Sequence, residues 1–403
     1  FISALYQSVI LAWIQPFQSI IQQIGSSRTF LGVMLLVVFL IITLTFILLK
    51  NRKSENSKID WSPLLISLIS LSFAGIPFYL TLLPVEAVGL NSRFTMPFMV
   101  GTCLLFAFLL DLIPVHIFKC ILASTLIAFA VGFQLLNENS FRLMADKYKN
   151  IMYQIAWRAP DLNPGTLIIT NELDDSHYYN FSNLRNMFNL SYPNDNSTLY
   201  DWVFGRELAS RYNIVQNMST DTKPYEMILK DFQNGIVVFQ LEENGCVRFI
   251  ESGSELINPE IVGYGFEQLS DSKQLIGDPE KQVQIDPTFI GKEPAHGWCY
   301  YFEKADLAIQ QKDYESVAES YQKVVEKRLW TRQSLEWLPF IEGLAGSGDW
   351  TTALSLSQKI IEKNPDIPSI NAFICKRLLS IVPTPDSISF NQAENAMITL
   401  GCK

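Results

Sequence analysis

Gly32-Val33-Met34-Leu35-Leu36-Val37-Val38-Phe39-Leu40-Ile41-Ile42-Thr43-Leu44-Thr45-Phe46-Ile47-Leu48-Leu49 is an uncharged apolar run that ends at Lys50-Asn51-Arg52-Lys53. A hydrocarbon core of about 30 Å is crossed by about 20 helical residues, so the stretch from 30 to 49 predicts a transmembrane helix. Three more stretches of this kind follow at 62 to 83, 94 to 113 and 116 to 136. The 403-residue chain is 48% hydrophobic, and residues 30 to 136 carry most of that excess. Residues 137 to 403 have the charge density and turns of an ordinary globular region, so a membrane part precedes a water-soluble part.

Orientation follows from basic residues in short loops. Lys50, Arg52, Lys53 and Lys58 cluster after the first span, and the positive-inside rule makes that loop cytoplasmic. Counting crossings places the 84 to 93 loop outside, the 112 to 118 turn inside and everything after residue 136 outside. Arg142, Lys147 and Lys149 count the other way, but long translocated domains escape local charge. Residues 2 to 24 carry Leu5, Val9, Trp13, Phe17, Ile20 and Ile24 as a helical stripe opposed by Ser and Gln, which fits an interfacial helix or the end of an earlier span. The first residue is Phe1, and no signal-peptide pattern opens the chain, so earlier sequence is expected. The net charge of −9 argues against a nucleic-acid partner, which needs a clustered basic surface.

Past the spans, Phe141, Met144, Tyr148, Ile151, Met152 and Ile155 predict a helix leading out of the membrane and stopped by Pro160. Gly165 to Thr170 reads as a buried strand. Ile236–Leu241 and Cys246–Ile250 flank Glu242-Glu243-Asn244-Gly245, a hairpin signature, because Asn-Gly tolerates the positive φ of a tight turn. With helices expected near 178 to 190, 199 to 212 and 224 to 232, residues 137 to 296 form a small α/β domain. From Trp298 the pattern becomes paired helices, and Asp313-Tyr314 recurs as Asp349-Trp350, 36 residues on. That spacing, with Gly348-Asp349-Trp350 before small residues and Pro365 closing the helix, resembles the tetratricopeptide repeat (TPR).

Few residues suggest chemistry. Glu172, Asp174, Asp175 and His177 lie on a loop after a strand, where α/β domains often bind ligands, so they read either as holding a metal or a sugar or as a solvated acidic loop. No metal site is expected, since no second ligand cluster supports them. His116, beside Asp111 and Lys119, reads as an interfacial anchor, and His296 as part of an aromatic entry to the repeats. Arg93 opens the third span on the outer side, where its guanidinium fork suits either the phosphate of a lipid-linked donor or plain anchoring among headgroups. Cys103 and Cys120 read as apolar fillers. Cys246, Cys299, Cys375 and Cys402 fall in the expected oxidising compartment, and Cys246 with Cys299 is the pair of choice, joining the hairpin to the repeats. Sequons at Asn180, Asn189, Asn196 and Asn217 bear only on a eukaryotic secretory pathway.

Arg93-Phe94-Thr95-Met96-Pro97-Phe98, Trp157-Arg158-Ala159-Pro160, Asn244-Gly245-Cys246, Trp298-Cys299-Tyr300-Tyr301-Phe302-Glu303-Lys304-Ala305 and Pro339-Phe340-Ile341-Glu342-Gly343 together resemble a family of uncharacterised bacterial polytopic membrane proteins of Chloroflexota-like genomes. In plan the chain is also similar to GT-C class glycosyltransferases, although their acidic catalytic residue has no counterpart here.

The expectation is therefore of α-helical transmembrane segments, then a small α/β extracytoplasmic domain, then an α-helical TPR-like module. Its parts are an interfacial segment at 1–29, four transmembrane helices at 30–136, the α/β domain at 137–296 and the repeats at 297–403. The expected location is the plasma (inner) membrane with the C-terminal domain extracytoplasmic. The expected function is a membrane-anchored interaction module for a protein partner or an envelope glycan. The alternative is part of a GT-C type glycosyltransferase using a polyprenyl-phosphate-linked sugar. The lipid bilayer is an expected partner, and no cofactor is expected.

Overall fold

A computed structural model describes residues 2–22, 28–50, 60–87, 90–171, 181–192, 198–214, 223–242, 245–250, 264–270, 283, 285–331, 333–363, 370–383 and 389–402. The chain is mostly helical with one small mixed sheet. It divides into two compact units, one holding Phe1–Ala145 and the other Asp146–Asp175 with Tyr179–Lys403.

In the first unit, four helices are long and apolar enough to cross a membrane, occupying Gly32–Lys50, Ser62–Thr81, Ser92–Asp111 and the start of His116–Arg158. The first lies within helix α1 (Arg28–Lys50). The second is α2 (Ser62–Ala74) continued by α3 (Ile76–Thr81), and the third is a 3₁₀ segment, Leu90–Phe98, leading into α4 (Met99–Asp111). The fourth, α5 (His116–Arg158), runs 43 residues, so the expected span at 116 to 136 and the expected helix after it are one element. No proline interrupts this sequence before Pro160, and Pro cannot be accommodated in the following turn. Exposed Leu, Ile and Phe side chains, such as Phe39, Ile42, Phe46 and Leu65, cover the outside of this unit. Inside, α2 and α4 approach closely enough for the buried Ser67 hydroxyl to donate to the Gly101 carbonyl at 2.8 Å. Hydroxyl contacts of this kind hold helices together where lipid removes the hydrophobic drive for packing. The N-terminal stripe is helical through Ile2–Leu5, a π-helical turn at Tyr6–Leu11 and Ala12–Gln22.

In the second unit the sheet has the order β2-β1-β3-β4, from β1 (Leu167–Thr170), β2 (Asp201–Phe204), β3 (Ile236–Gln240) and β4 (Arg248–Ile250). Central β1 runs parallel to both neighbours, while β3 and β4 pair antiparallel, Val238 opposite Ile250 and Gln240 opposite Arg248. Residues 243 and 244 of the expected turn lie outside the described residues. One expectation fails here: 199 to 212 is not all helix, because Asp201-Trp202-Val203-Phe204 forms β2 before helix Gly205–Arg211 begins. Trp, Val and Phe suit a pleated surface, and pairing to β1 decides what four residues cannot decide locally. The Trp202 indole donates to the Thr170 hydroxyl at 3.0 Å across that pairing. Leu167, Ile169, Val203, Ile236 and Val238 pack on one face against Leu208 and Ile228 of the covering helices. Ile168, Trp202 and Val237 on the opposite face are equally buried, as parallel strands require.

Beyond the sheet come helices α6 (Trp298–Gln311), α7 (Tyr314–Glu326), α8 (Leu338–Gly346), α9 (Trp350–Lys363), α10 (Ile370–Leu379) and α11 (Phe390–Leu400), the first four each packing on the next. The entries to α7 and α9 are built alike. Lys312 and Gly348 hold left-handed backbone, φ 60 and φ 96. After each comes an aspartate that caps a helix: Asp313 accepts from the Ser316 amide at 3.2 Å, and Asp349 from the Thr352 amide at 3.0 Å. Where α7 meets α8, a Cβ on Gly343 would overlap the Val317 side chain, so only glycine permits that approach. Aromatic packing of Trp298, Trp337 and Phe340 fills the centre. Two disulfides close this unit, Cys246–Cys299 and Cys375–Cys402, each with Cα atoms 5.2 Å apart. Cys103 and Cys120 are free.

Candidate functional site

Arg93 sits on the 3₁₀ segment Leu90–Phe98, exposed, with its guanidinium 5.1 Å over the Phe94 ring. It lines a cavity of about 970 Å³ enclosed by elements of the first unit. Its polar lining includes Ser92, Arg93, Gln134, Asn137 and Glu138, and its apolar lining includes Trp13, Phe17, Met96, Met99, Leu126 and Phe133. The N-terminal helical stripe contributes directly, with Trp13 stacking on Phe106 at 4.2 Å and Phe17 on Phe129 at 4.4 Å. A long apolar tail with an anionic head matches that mixed lining, since a guanidinium offers a planar fork to phosphate. Glu138 lines the cavity as well and would repel such a head.

Asp174, Asp175 and His177 lie outside the described residues. Before them, buried Asn171 ties the end of β1 to the end of β3: its amide nitrogen donates to the Leu241 carbonyl at 3.0 Å, and its oxygen accepts from the Leu241 amide at 2.7 Å. Cys246 and Cys299, chosen together from the sequence, are bonded. His116 reaches Cys120, 3.6 Å away on the next turn, and Asp111 pairs with Lys119. His296 stacks on Tyr300 at 3.6 Å and meets Glu293 at 3.1 Å. Asn189, a sequon asparagine, is committed to structure through hydrogen bonds with both the Tyr200 amide and carbonyl.

A second concavity, unforeseen in the sequence, lies within the second unit. It measures about 480 Å³ and is bounded by β4, the C-terminal end of α5, and helices α6, α8 and α10. Four cations line it: Arg158, Arg248, Lys376 and Arg377. Two carboxylates do so as well, and both serve to aim arginines. Arg158, 3% exposed, donates through Nε to Asp306 at 2.7 Å and through Nη1 to Gln310 at 2.8 Å. Arg377 donates to Glu342 at 3.0 Å. Burial pulls the Arg248 guanidinium below its ordinary range, opposed by the charges of Glu242, Glu336 and Asp306. Burial likewise raises Glu342, with Arg377 opposing.

Beneath this cleft are two buried glutamates of opposite design. Glu336 accepts three hydrogen bonds of 2.6 Å, from the Cys246 amide, the Trp298 indole and the Thr331 hydroxyl. Burial raises its pKa, and those donors hold it back. Glu303 is fully buried, and neither carboxyl oxygen has a hydrogen-bond partner among the described residues. Desolvation raises it well above the ordinary carboxyl range, Asp306 adds to the rise and Arg158 opposes it. Burial and the neighbouring Asp306 thus both favour its neutral form over the charged carboxylate. Among the described residues no group of three metal-ligating side chains occurs. The cleft arginines escaped sequence reading because they are contributed by a helix end, a strand and a distant helix. No spacing rule brings such positions together.

No protein-family model matches the chain, and neither a curated protein nor a solved structure matches it. The functional reading therefore rests on these residues.

Proposed function

We propose that the chain is a multi-pass plasma-membrane protein whose second unit lies outside the cytoplasm as an interaction module for a protein partner, with helices of TPR type forming its binding wall. The observation that carries this reading is the cationic cleft where β4 meets α6, α8 and α10. Stacked helical pairs present concave surfaces to peptides and helices. The repeated entry to α7 and α9 supports the TPR assignment, since a left-handed residue and a capping aspartate recur 36 residues apart at 313 and 349. Two disulfides confined to the second unit favour an oxidising compartment, while the two free thiols lie in the first. Labelling a Ser347→Cys variant in intact cells with a membrane-impermeant maleimide tests the placement, because Ser347 is exposed. Labelling without permeabilisation is expected. Labelling only after permeabilisation would overturn it.

The Arg93 cavity favours a second reading, a GT-C type transferase that holds a polyprenyl-phosphate-linked sugar. A ligand at 100 times its Kd stabilises the native state by about 2.7 kcal/mol. Thermal stabilisation of the solubilised protein by such a lipid, lost in Arg93→Ala, is the expected result for that reading, and no shift with either protein rejects it.

A further inference from the structure

We infer that the cavity of the first unit holds one phospholipid whose head carries both a phosphate and a primary amine, of the phosphatidylethanolamine kind, an inference that rests on the membrane placement of that unit and not on what the second unit binds. The first argument is charge. Arg93, whose guanidinium lies over the Phe94 ring, and Glu138 both line the cavity, and neither has an ion pair or a hydrogen bond among the described residues. A polyprenyl phosphate would match the arginine and be repelled by the glutamate. A zwitterionic head matches both, since a guanidinium fork suits phosphate oxygens and a primary ammonium donates to a carboxylate.

The second argument is depth. Arg93 stands at the start of the third apolar stretch, Ser92–Asp111, and Glu138 lies about 33 Å along α5, so two helices joined by the short turn at 112–115 bring both charges to one face of a core about 30 Å thick. From Glu138 the lining descends along α5 to Leu126, about 18 Å deeper, a little more than half of that thickness. That depth suits the acyl chains of one leaflet. The third argument is an orphan donor. Ser8 is 4% exposed, lines the same cavity, and its hydroxyl has no hydrogen-bond partner among the described residues. Helical hydroxyls in this unit commonly fold back on the carbonyl four residues earlier, as those of Thr43, Ser72, Thr102 and Ser140 do. Thr45 and Ser124 also lack a partner among the described residues, but neither lines the cavity. Ser8 belongs to the π-helical turn Tyr6–Leu11, a distortion frequent at functional sites. A buried hydroxyl without an acceptor costs free energy, and the phosphate or ester oxygens of a lipid would supply one.

The test measures lipid binding to the full chain, extracted from membranes in detergent and stripped of lipid, by native mass spectrometry with dioleoyl phosphatidylethanolamine, phosphatidylcholine and phosphatidylglycerol. Phosphatidylethanolamine is expected to bind about tenfold tighter than either of the others. Choline has no N–H to donate and glycerol no cation, and a lost charge-assisted bond is worth about that factor. Glu138→Gln should weaken phosphatidylethanolamine about tenfold without weakening phosphatidylglycerol, whereas Arg93→Gln should weaken both. A merely structural defect would lower all three lipids together. Ser8→Ala should weaken phosphatidylethanolamine without lowering the unfolding midpoint of the lipid-free chain. Equal affinity for the three lipids, or an unchanged lipid preference in Glu138→Gln, overturns the inference and leaves the membrane placement standing. Tighter binding of a polyprenyl-phosphate sugar than of phosphatidylethanolamine overturns it in favour of the transferase reading. Recovery of the chain in the soluble fraction without detergent overturns the membrane placement and the inference with it.

Discussion

Replacing Glu303 with glutamine removes a titratable proton from the most deeply buried carboxyl of the helical stack while keeping its shape. In the folded protein Glu303 is 0% exposed, has no hydrogen-bond partner among the described residues, and is raised well above the ordinary carboxyl range by desolvation. The sign follows from proton counting. Between the unfolded pKa and the raised folded one, the native state holds a proton that the unfolded state has lost, so stability falls as pH rises. Each pH unit in that window costs about 1.4 kcal/mol. Below the unfolded pKa both states are protonated and parent and variant should be close. Above it, and up to the raised folded pKa, Glu303→Gln should gain on the parent with a slope approaching about 1.4 kcal/mol per pH unit. Glu336 and Glu342 are also raised, but both proteins carry them, so they drop from the difference. The assay is urea unfolding of the full chain in nanodiscs, followed by tryptophan fluorescence at several pH values. A parent-to-variant difference independent of pH over that range would refute the claim that this buried carboxyl is kept protonated.

Gly343→Ala should destabilise the second unit by about 1–3 kcal/mol, since the new methyl would overlap Val317, and adding Val317→Ala should recover part of the loss in a double-mutant cycle. Lys312→Gly should raise stability by up to about 1 kcal/mol, because a φ of 60 strains any residue with a Cβ. Thiol titration of the denatured, unreduced protein should count two, Cys103 and Cys120, rising to six on reduction; six before reduction would contradict both disulfides. Asp349→Ala should cost about 1 kcal/mol through loss of its cap to Thr352.

The apolar runs were legible because a span needs only length and composition, and all four reappear as helices of sufficient length. The hairpin strands were legible as two apolar runs flanking Asn244-Gly245, and the α7 and α9 entries through an Asp-aromatic pair at a fixed offset. β2 was not, because four residues carry too little periodicity against a helical neighbourhood, and its identity comes from pairing with β1. Arg93 was noticed as a lone charge beside an apolar run, and the structure adds the cavity it lines. Arg158 was read only as part of a helix stop. Its partners Asp306 and Gln310 are 148 and 152 residues away, beyond the reach of any local pattern.

The three-way grip of Glu336 also sets an order of assembly. Chains leave the ribosome from the N-terminus, so Cys246 and Cys299, 53 residues apart, meet first. The amide of Cys246 must then wait for a carboxylate that arrives 90 residues after it. Until that moment the segment entering β4 is tethered covalently but lacks the Glu336 acceptor for a buried donor. Any factor that holds the nascent chain during this interval has a short, defined target, and a stall between residues 299 and 336 is where misassembled species should accumulate.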